Sequence, residues 1–146
     1  MRLSRTVAYA LQATLQLAQL DSKGPVPCSQ LAAAGNMPER FLLQVLRNLV
    51  THGVLQSSRG VEGGYFLGRD PASISLLEII EAIDGPLVSA MPLRDGLPGT
   101  CQARLEETLS RVAAATREQL AAASVSDLLA EPSPLSALSR GPQLVS

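Results

Sequence analysis

Residues 38–67 read PERFLLQVLRNLVTHGVLQSSRGVEGGYFL, and this stretch decides the fold. In its first half, residues 38–52, four apolar residues recur at helical spacing and predict one buried helix face. They are Leu42, Val45, Leu46 and Leu49. Two short β-capable runs follow, at residues 54–58 and 65–68, and the turn between them is too rich in glycine to be helical. The stretch therefore predicts a helix followed directly by a β-hairpin.

Two further helices are predicted before this stretch. Residues 4–20 carry an apolar stripe at three- and four-residue steps, with Ser4 as the N-cap. Residues 28–34 predict a short second helix, which ends at a Gly-Asn pair suited to a left-handed turn. Pro38 is then predicted as the first residue of the third helix, where its missing N–H costs little. Two short helices joined by a tight turn and followed by a hairpin outline a winged helix-turn-helix.

The second half of the chain predicts helices separated by one irregular loop. Ser75 and Glu78 have the spacing of a capping box, which predicts a helix after the hairpin. Three prolines and two glycines in the next segment predict a loop, a long helix follows, and a Pro-, Ser- and Gly-rich end predicts a flexible tail. The predicted division is a winged helix-turn-helix domain at 1–85, a loop at 86–100, a dimerisation helix region at 101–130 and a flexible tail at 131–146.

Charge is distributed unevenly along the chain, although the net charge is only −1. Residues 1–69 carry seven basic groups against three acidic ones, whereas residues 70–146 carry five against ten. The first half is therefore net +4 and the second half net −5. A polyanion would bind the first half and be repelled by the second. Chance unevenness on a solvated surface is the alternative interpretation.

The exposed face of the third helix carries side chains that suit a DNA major groove. Arg40 can make a bidentate contact to guanine and Gln44 to adenine, and Leu43 could touch a thymine methyl group. Arg47 lies further along the helix and is expected to reach a phosphate. An ordinary solvated helix face is the alternative, and the hairpin that follows favours the DNA interpretation.

The hairpin tip is predicted to lie against the DNA backbone or in the minor groove. Its glycines let the main chain approach a phosphate closely, and Arg59 stands at the end of the first strand. A phosphate-binding loop of a nucleotide enzyme is disfavoured, because no Lys-Ser or Lys-Thr pair and no helix follow the glycines. The complete predicted set of DNA-binding residues is Pro38, Arg40, Phe41, Leu43, Gln44, Arg47, Arg59, Gly60, Gly63, Gly64 and Tyr65.

The long helix is predicted to pair with a second copy of the chain. It has an apolar side and many alanines, which let a partner helix come close, and little sequence follows that could bury it. DNA-binding proteins of this type commonly use two-fold symmetry to bind paired half-sites. Packing onto its own domain is the alternative. The expected dimer interface residues are Leu105, Leu109, Val112, Thr116 and Leu120.

No residue set in the sequence indicates an enzyme, a metal site or a membrane protein. His52, the only histidine, is expected to cap the third helix. Glutamines interrupt the apolar run of residues 1–20, which argues against a signal peptide, and no run is long enough to span a bilayer. Two widely spaced cysteines make no disulfide framework, so we expect a cytoplasmic protein.

Two alternatives to a simple DNA-binding regulator stay open. In the first, Cys28 and Cys101 form a thiol switch, since the dipole at the start of the second helix could lower the pKa of Cys28. The competing interpretation of Cys28 is a small core residue. In the second alternative, the winged helix is a protein–protein interaction module that does not bind DNA.

Three separated motifs resemble the Rrf-two family of bacterial transcription regulators. They are MRLSRTVAYAL at residues 1–11, RGVEGGYFL at residues 59–67 and ISLLEIIEAIDG at residues 74–85, and the resemblance covers roughly residues 1–130. It implies a dimeric winged-helix DNA-binding protein, usually a repressor. It also implies that residues 38–52 are the recognition helix, residues 59–65 the wing and residues 100–123 the dimerisation helix.

The resemblance also implies where this chain departs from its relatives. Family members that bind an iron–sulphur cluster carry three cysteines in the loop before the long helix and at its start. Here residues 86–100 contain none, and only Cys101 lies near the last of those positions. One thiol cannot hold such a cluster, so no cofactor is expected, and the signal would be a small molecule, a partner protein or nothing. Leu43 is a second departure, because many relatives have a glutamate there.

Overall fold

The computed structural model describes residues 1–20, 24–88 and 96–130. Its helices are α1 (Arg5–Leu20), α2 (Cys28–Gly35), α3 (Glu39–Thr51), α4 (Leu76–Asp84), α5 (Gly99–Ala122) and α6 (Val125–Leu129). Its strands are β1 (Leu55–Ser58) and β2 (Gly64–Leu67), which form an antiparallel hairpin. The predicted mostly α fold with a small β-hairpin is confirmed. The tail at 131–146 and part of the loop at 86–100 lie outside the described residues.

Helix α1 lies at the centre of the core and packs against α2, α3, α4, α6 and β2. Its buried face includes Val7, Ala10 and Leu17, which follow the predicted helical spacing. Thr14 is also fully buried on this face, and its hydroxyl donates to the carbonyl of Ala10 at 2.8 Å. That internal bond satisfies the hydroxyl, so a polar residue is accommodated where the apolar pattern alone would not have placed one.

The turn between α2 and α3 is closed by a residue in the left-handed conformation, as the sequence predicts. Asn36 has φ 51° and ψ 50°, and its N–H donates to the carbonyls of Ala32 and Ala33. From α1, the Gln12 side-chain amide donates to the carbonyl of Gly35 at 3.1 Å. The turn is thus tied both to its own helix and to the core, which fixes the angle at which α3 leaves it.

Pro38 caps α3 rather than beginning it, which corrects its predicted place by one residue. Its ψ of 118° is extended, and its carbonyl accepts the first helical hydrogen bond from the N–H of Leu42 at 2.9 Å. From Glu39 onward the helix buries Leu42 and three further apolar residues of the predicted set against the core. The packed face of α3 therefore agrees with its 3.6-residue pattern, and its polar face turns outward.

The wing hairpin is joined to the segment before α2 by a short backbone pairing. Val26 and Tyr65 exchange hydrogen bonds, N–H to carbonyl, at 2.9 and 2.8 Å. The close approach needs a glycine at position 64, because a Cβ there would overlap the Val26 carbonyl group and lie 2.7 Å from the Pro27 nitrogen. The two wing strands pair with each other, β1 packs against α3, and β2 pairs with residue 26.

Helices α5 and α6 return the chain to the winged-helix core. The main chain around Ser124 pairs with that around Ser75: the Leu76 N–H donates to the Ala123 carbonyl, and the Val125 N–H to the Ile74 carbonyl, both at 2.9 Å. The side chain of Val125 is fully buried. Helix α6, which the predicted division placed in the dimerisation region, thus packs into the same core as residues 1–85.

An ion pair joins α4 to α5 near the start of the loop. Arg117 donates to the Glu81 carboxylate at 2.7 Å, and the same carboxylate accepts from the Leu87 N–H at 2.9 Å. The hydrogen bond from Arg117 is the largest influence on Glu81 and lowers its pKa, with a smaller lowering from Leu87. The two helices and the first loop residues are thereby held in one arrangement.

We expect Gly64→Ala to destabilise the protein by about 1–3 kcal/mol, because the new Cβ forces the wing away from the Val26 carbonyl. Urea denaturation followed by circular dichroism measures the loss. The matched control is Gly99→Ala, where a Cβ meets nothing within 4 Å and the residue lies in the first turn of α5. Equal stability of Gly64→Ala and the parent would contradict the close packing of wing and segment.

Candidate nucleic-acid interface

The outer face of α3 presents a continuous polar stripe. Arg40, Gln44, Arg47 and Thr51 are exposed and follow one another at intervals of four, three and four residues. Side chains at this spacing share one face of a helix. The structure therefore brings together the three polar α3 residues predicted to contact DNA, on the side of α3 that faces away from the core.

Two apolar residues flank this stripe. Phe41 is 67% exposed, whereas Leu43 is half-buried at the edge of the face. A large exposed aromatic side chain in the first turn of α3 has no packing role in the described protein. Apolar contacts of this kind suit the methyl group of thymine. The chemistry of the α3 face is thus hydrogen bonding to base edges, with apolar contacts beside it.

The wing tip, residues 59–63, projects away from the core. Arg59 is exposed, and Gly60 follows with φ +111°, a conformation that side chains disfavour. The Gly63 N–H donates to the Gly60 carbonyl at 3.0 Å and closes the tip. Val61 is fully exposed at the apex. Val61 is not among the predicted DNA contacts. The sequence marks it only as an apolar residue in an otherwise polar turn.

A groove of about 660 Å³ separates α3 from the wing. Arg47, Val50 and Thr51 line it from α3, and the wing contributes the remaining five residues. These are Ser57, Ser58, Arg59, Gly64 and Tyr65. Four of the groove residues belong to the predicted DNA contacts. The two serines do not, because nothing in the sequence distinguishes them from ordinary strand residues.

Tyr65 contacts both the hydrophobic core and the groove. It is half-buried and packs against the hydrophobic core, while it also lines the groove. Its main chain pairs with Val26, and its register partner in β1 is Ser57. Tyr65 therefore positions the wing as well as contributing to the groove wall.

The arginines of this surface, like Arg2, Arg5, Arg104 and Arg111, form no ion pair with a described residue, whereas two others do. Arg69 pairs with Glu78 at 2.7 Å, and Arg117 pairs with Glu81 at the same distance. Within the described part of the chain, Arg40, Arg47 and Arg59 make no ion pair. Their charges are consequently not neutralised by the protein itself and are available to an anion.

Of the two interpretations of Cys28, its environment favours a partly buried, protonated thiol. Burial raises the pKa of Cys28, and the charge of Glu39 raises it further. Its Sγ lies 3.7 Å from the Glu39 carbonyl oxygen, to which the thiol donates. Desolvation disfavours the charged thiolate. Cys101 is exposed on α5, and a redox role for either cysteine stays a prediction.

Helix α5 exposes an apolar row over its first half. Leu105, Leu109 and Val112 are 37%, 36% and 58% exposed, and Thr116 and Leu120 continue the row half-buried toward the α5 C-terminus. No residue of α5 is buried in a single chain. The predicted interface residues therefore share one surface, which the described parts of the same chain leave uncovered.

The described residues do not fit a metal centre. Among residues 1–20, 24–88 and 96–130, no three His, Cys, Asp or Glu side chains are close enough to share a metal ion. His52 instead makes a 2.8 Å contact from Nδ1 to the Asn48 carbonyl, as expected of a residue at a helix C-terminus. The whole chain has two cysteines, fewer than the thiolates that hold an iron–sulphur cluster.

None of the helices in the described residues is long and apolar enough to cross a membrane.

Comparison with known proteins gives a consistent result. The Rrf2 family model, described as "Iron-dependent Transcriptional regulator", matches residues 3–131. An inferred HTH-type transcriptional regulator of Mycobacterium tuberculosis (strain CDC 1551 / Oshkosh) is 44% identical over 89 residues, which cover 61% of this chain and 55% of that protein. The match thus spans about half the length of this curated relative. CymR of Bacillus subtilis is 30% identical over 128 residues, 88% of this chain and 89% of CymR.

Solved structures resemble the fold along most of its length. The structure of B. subtilis CymR, titled a global cysteine regulator, has a TM-score of 0.73 and covers 88% of this chain and 95% of its own. An inferred transcriptional regulator from Listeria innocua has a TM-score of 0.75 at 32% identity, covering 93% and 92% of the two chains. The similarity therefore extends beyond the predicted DNA-binding domain.

We expect Cys28 to react slowly with iodoacetamide at neutral pH, because its raised pKa keeps the thiol protonated. The measurement is the alkylation rate of a Cys101→Ser variant, in which Cys28 is the remaining thiol. The same variant unfolded in urea serves as the control and should react faster. Faster alkylation in the folded protein would show an activated thiolate and restore the thiol-switch hypothesis.

Proposed function

Because the chain belongs to the Rrf2 (Rrf-two) family of transcriptional regulators, we propose that it binds duplex DNA as a sequence-specific homodimer and represses transcription. In this proposal α3 enters the major groove, and the wing tip lies on the backbone or in the adjacent minor groove. A regulator of chromosomal genes works in the cytoplasm, which is where we place it.

The observation that carries the proposal is the set of three unpaired arginines around the groove. Arg47 on α3 and Arg59 on the wing line the groove from two elements, and Arg40 lies on the same exposed face of α3 as Arg47. In the described part of the chain none of them has an acidic partner. Unneutralised arginines beside exposed hydrogen-bonding groups are what a phosphate backbone and base edges require.

Dimerisation through α5 would provide a second recognition helix, which binds the second half-site of the DNA. The exposed apolar row on α5 can pack against the same row of a second copy. Backbone pairing around Ser124 joins the end of α5 to the winged-helix core. Burying this row against a second copy removes apolar surface from water and repeats α3 about a two-fold axis. The spacing of the two recognition helices would then follow from the way α5 and α6 join the winged-helix core.

We also propose that this regulator works without an iron–sulphur cluster, although the family model is described as iron-dependent. The two cysteines occupy different elements, and Cys28 is bonded to the main chain of Glu39. A small molecule or a partner protein would then provide the signal.

Gln44→Ala should weaken binding to the DNA upstream of the protein's own gene by about tenfold or more, because a bidentate base contact is lost. Binding to unrelated duplex DNA should change little, since phosphate contacts remain. Fluorescence anisotropy with both duplexes measures the two affinities.

Gln119→Ala, on an exposed part of α5, is the matched control for that experiment and should bind like the parent.

Binding should be equally strong after aerobic treatment with a chelator, if no cluster is needed. Failure of the parent to bind any duplex at moderate salt would overturn the proposal and leave a protein–protein interaction module as the better account.

Leu109→Glu should convert the dimer to a monomer, because it places an unpaired charge in the apolar row of α5. Light scattering should change from twice the chain mass of 15.3 kDa to that mass. Ala114→Glu lies on the opposite side of α5 and should leave the dimer intact. A folded Leu109→Glu dimer would show that the interface lies elsewhere.

A further inference from the structure

The groove between α3 and the wing, here named the wing groove, has a composition that suits the sugar–phosphate strand rather than the bases. Its lining residues are Arg47, Val50, Thr51, Ser57, Ser58, Arg59, Gly64 and Tyr65. Arginine comes from both walls, and no acidic residue lines the groove in the part of the chain that the structure describes. Its remaining polar groups are hydroxyls, which donate to phosphate oxygens without carrying charge.

The hydroxyls of the groove are not equivalent. The Thr51 hydroxyl donates to the Arg47 carbonyl at 3.0 Å, so its proton is already used within α3. Ser57 and Ser58 are exposed, and their hydroxyls bond to none of the described side chains or main-chain groups. The two serines therefore remain free for a ligand, as does the Tyr65 hydroxyl, which bonds to none of the described residues either.

The positions of the two walls determine which part of DNA could occupy the groove. If α3 lies in the major groove and the wing tip beside the neighbouring minor groove, one sugar–phosphate strand must pass between them. Gly64 forms part of the lining through its main chain, since a Cβ there would point at Val26 and Pro27. The volume of the groove, about 660 Å³, leaves room for more than one phosphate group.

We propose, on the basis of the proposed function, that the wing groove binds the strand between the major and minor grooves through neutral hydrogen bonds from Ser57 and Ser58. Arg47 supplies the charged contact from the α3 wall. The serines then contribute affinity that is independent of base sequence. Because they release no counterion, their contribution is also independent of salt.

The test measures affinity for a duplex of unrelated sequence over a series of salt concentrations. Ser57→Ala/Ser58→Ala should bind about fivefold or more weakly at every salt concentration, with the slope of log affinity against log salt unchanged. Arg47→Gln should instead reduce that slope by about 0.9, the value for one phosphate contact. These two signatures separate neutral donors from charged ones.

Two further variants act as controls. Ser57→Thr/Ser58→Thr keeps both hydroxyls and should bind like the parent. Gln56→Ala changes an exposed residue of the same strand that does not line the groove, and it should also bind like the parent. Circular dichroism confirms that each variant is folded.

Parent-like binding by the double alanine variant would overturn the inference, and so would a change of slope. A loss seen with one sequence only would also overturn it, because the serines would then read bases. If the parent binds DNA and Gln44→Ala weakens that binding, the proposed function survives any of these results. If the parent binds no duplex, the proposed function itself fails.

Discussion

The backbone pairing of Val26 with Tyr65 is the contact on which the arrangement of the DNA-binding surface depends. It turns a two-stranded hairpin, which would be marginally stable alone, into part of a three-segment sheet. The hairpin is also tied to α3, since the Val54 N–H donates to the Leu49 carbonyl at 2.9 Å. These hydrogen bonds join the wing to the segment before α2 and to the recognition helix.

Two arginines away from the groove form ion pairs. Arg69 pairs with Glu78 at the start of α4, and Arg117 joins α5 to α4. Around the groove, arginines are left unpaired within the described residues. Surface ion pairs contribute little to stability, so leaving three arginines without partners costs the fold little. The same charges are valuable to a protein that must attract a polyanion.

Local patterns in the sequence predicted much of the fold. The apolar spacing of α3, the Ser75–Glu78 capping box and the left-handed Asn36 each depend on a few neighbouring residues, and the structure shows all three. Pairings between distant segments leave no such pattern. The Val26–Tyr65 bridge, the burial of Val125 and the serine-lined wall of the groove arise only when separate elements meet.

The same limit applies to the chemistry of Cys28. From the sequence its place at the start of α2 suggests a dipole that favours the thiolate. Only the folded chain shows that burial and the nearby charge of Glu39 favour the thiol. The sequence predicts that the wing glycines allow a close approach to phosphate, whereas the structure shows that Gly64 is needed for the close approach of residue 26.

Amide hydrogen exchange, with and without the DNA upstream of the protein's own gene, tests most directly whether α3 and the wing bind DNA as one surface. We predict slowed exchange on DNA binding in residues 39–51 and in residues 57–65 of the same complex. The C-terminal part of α5 should show no direct protection. Protection of only one of the two segments, or of neither, would contradict the account.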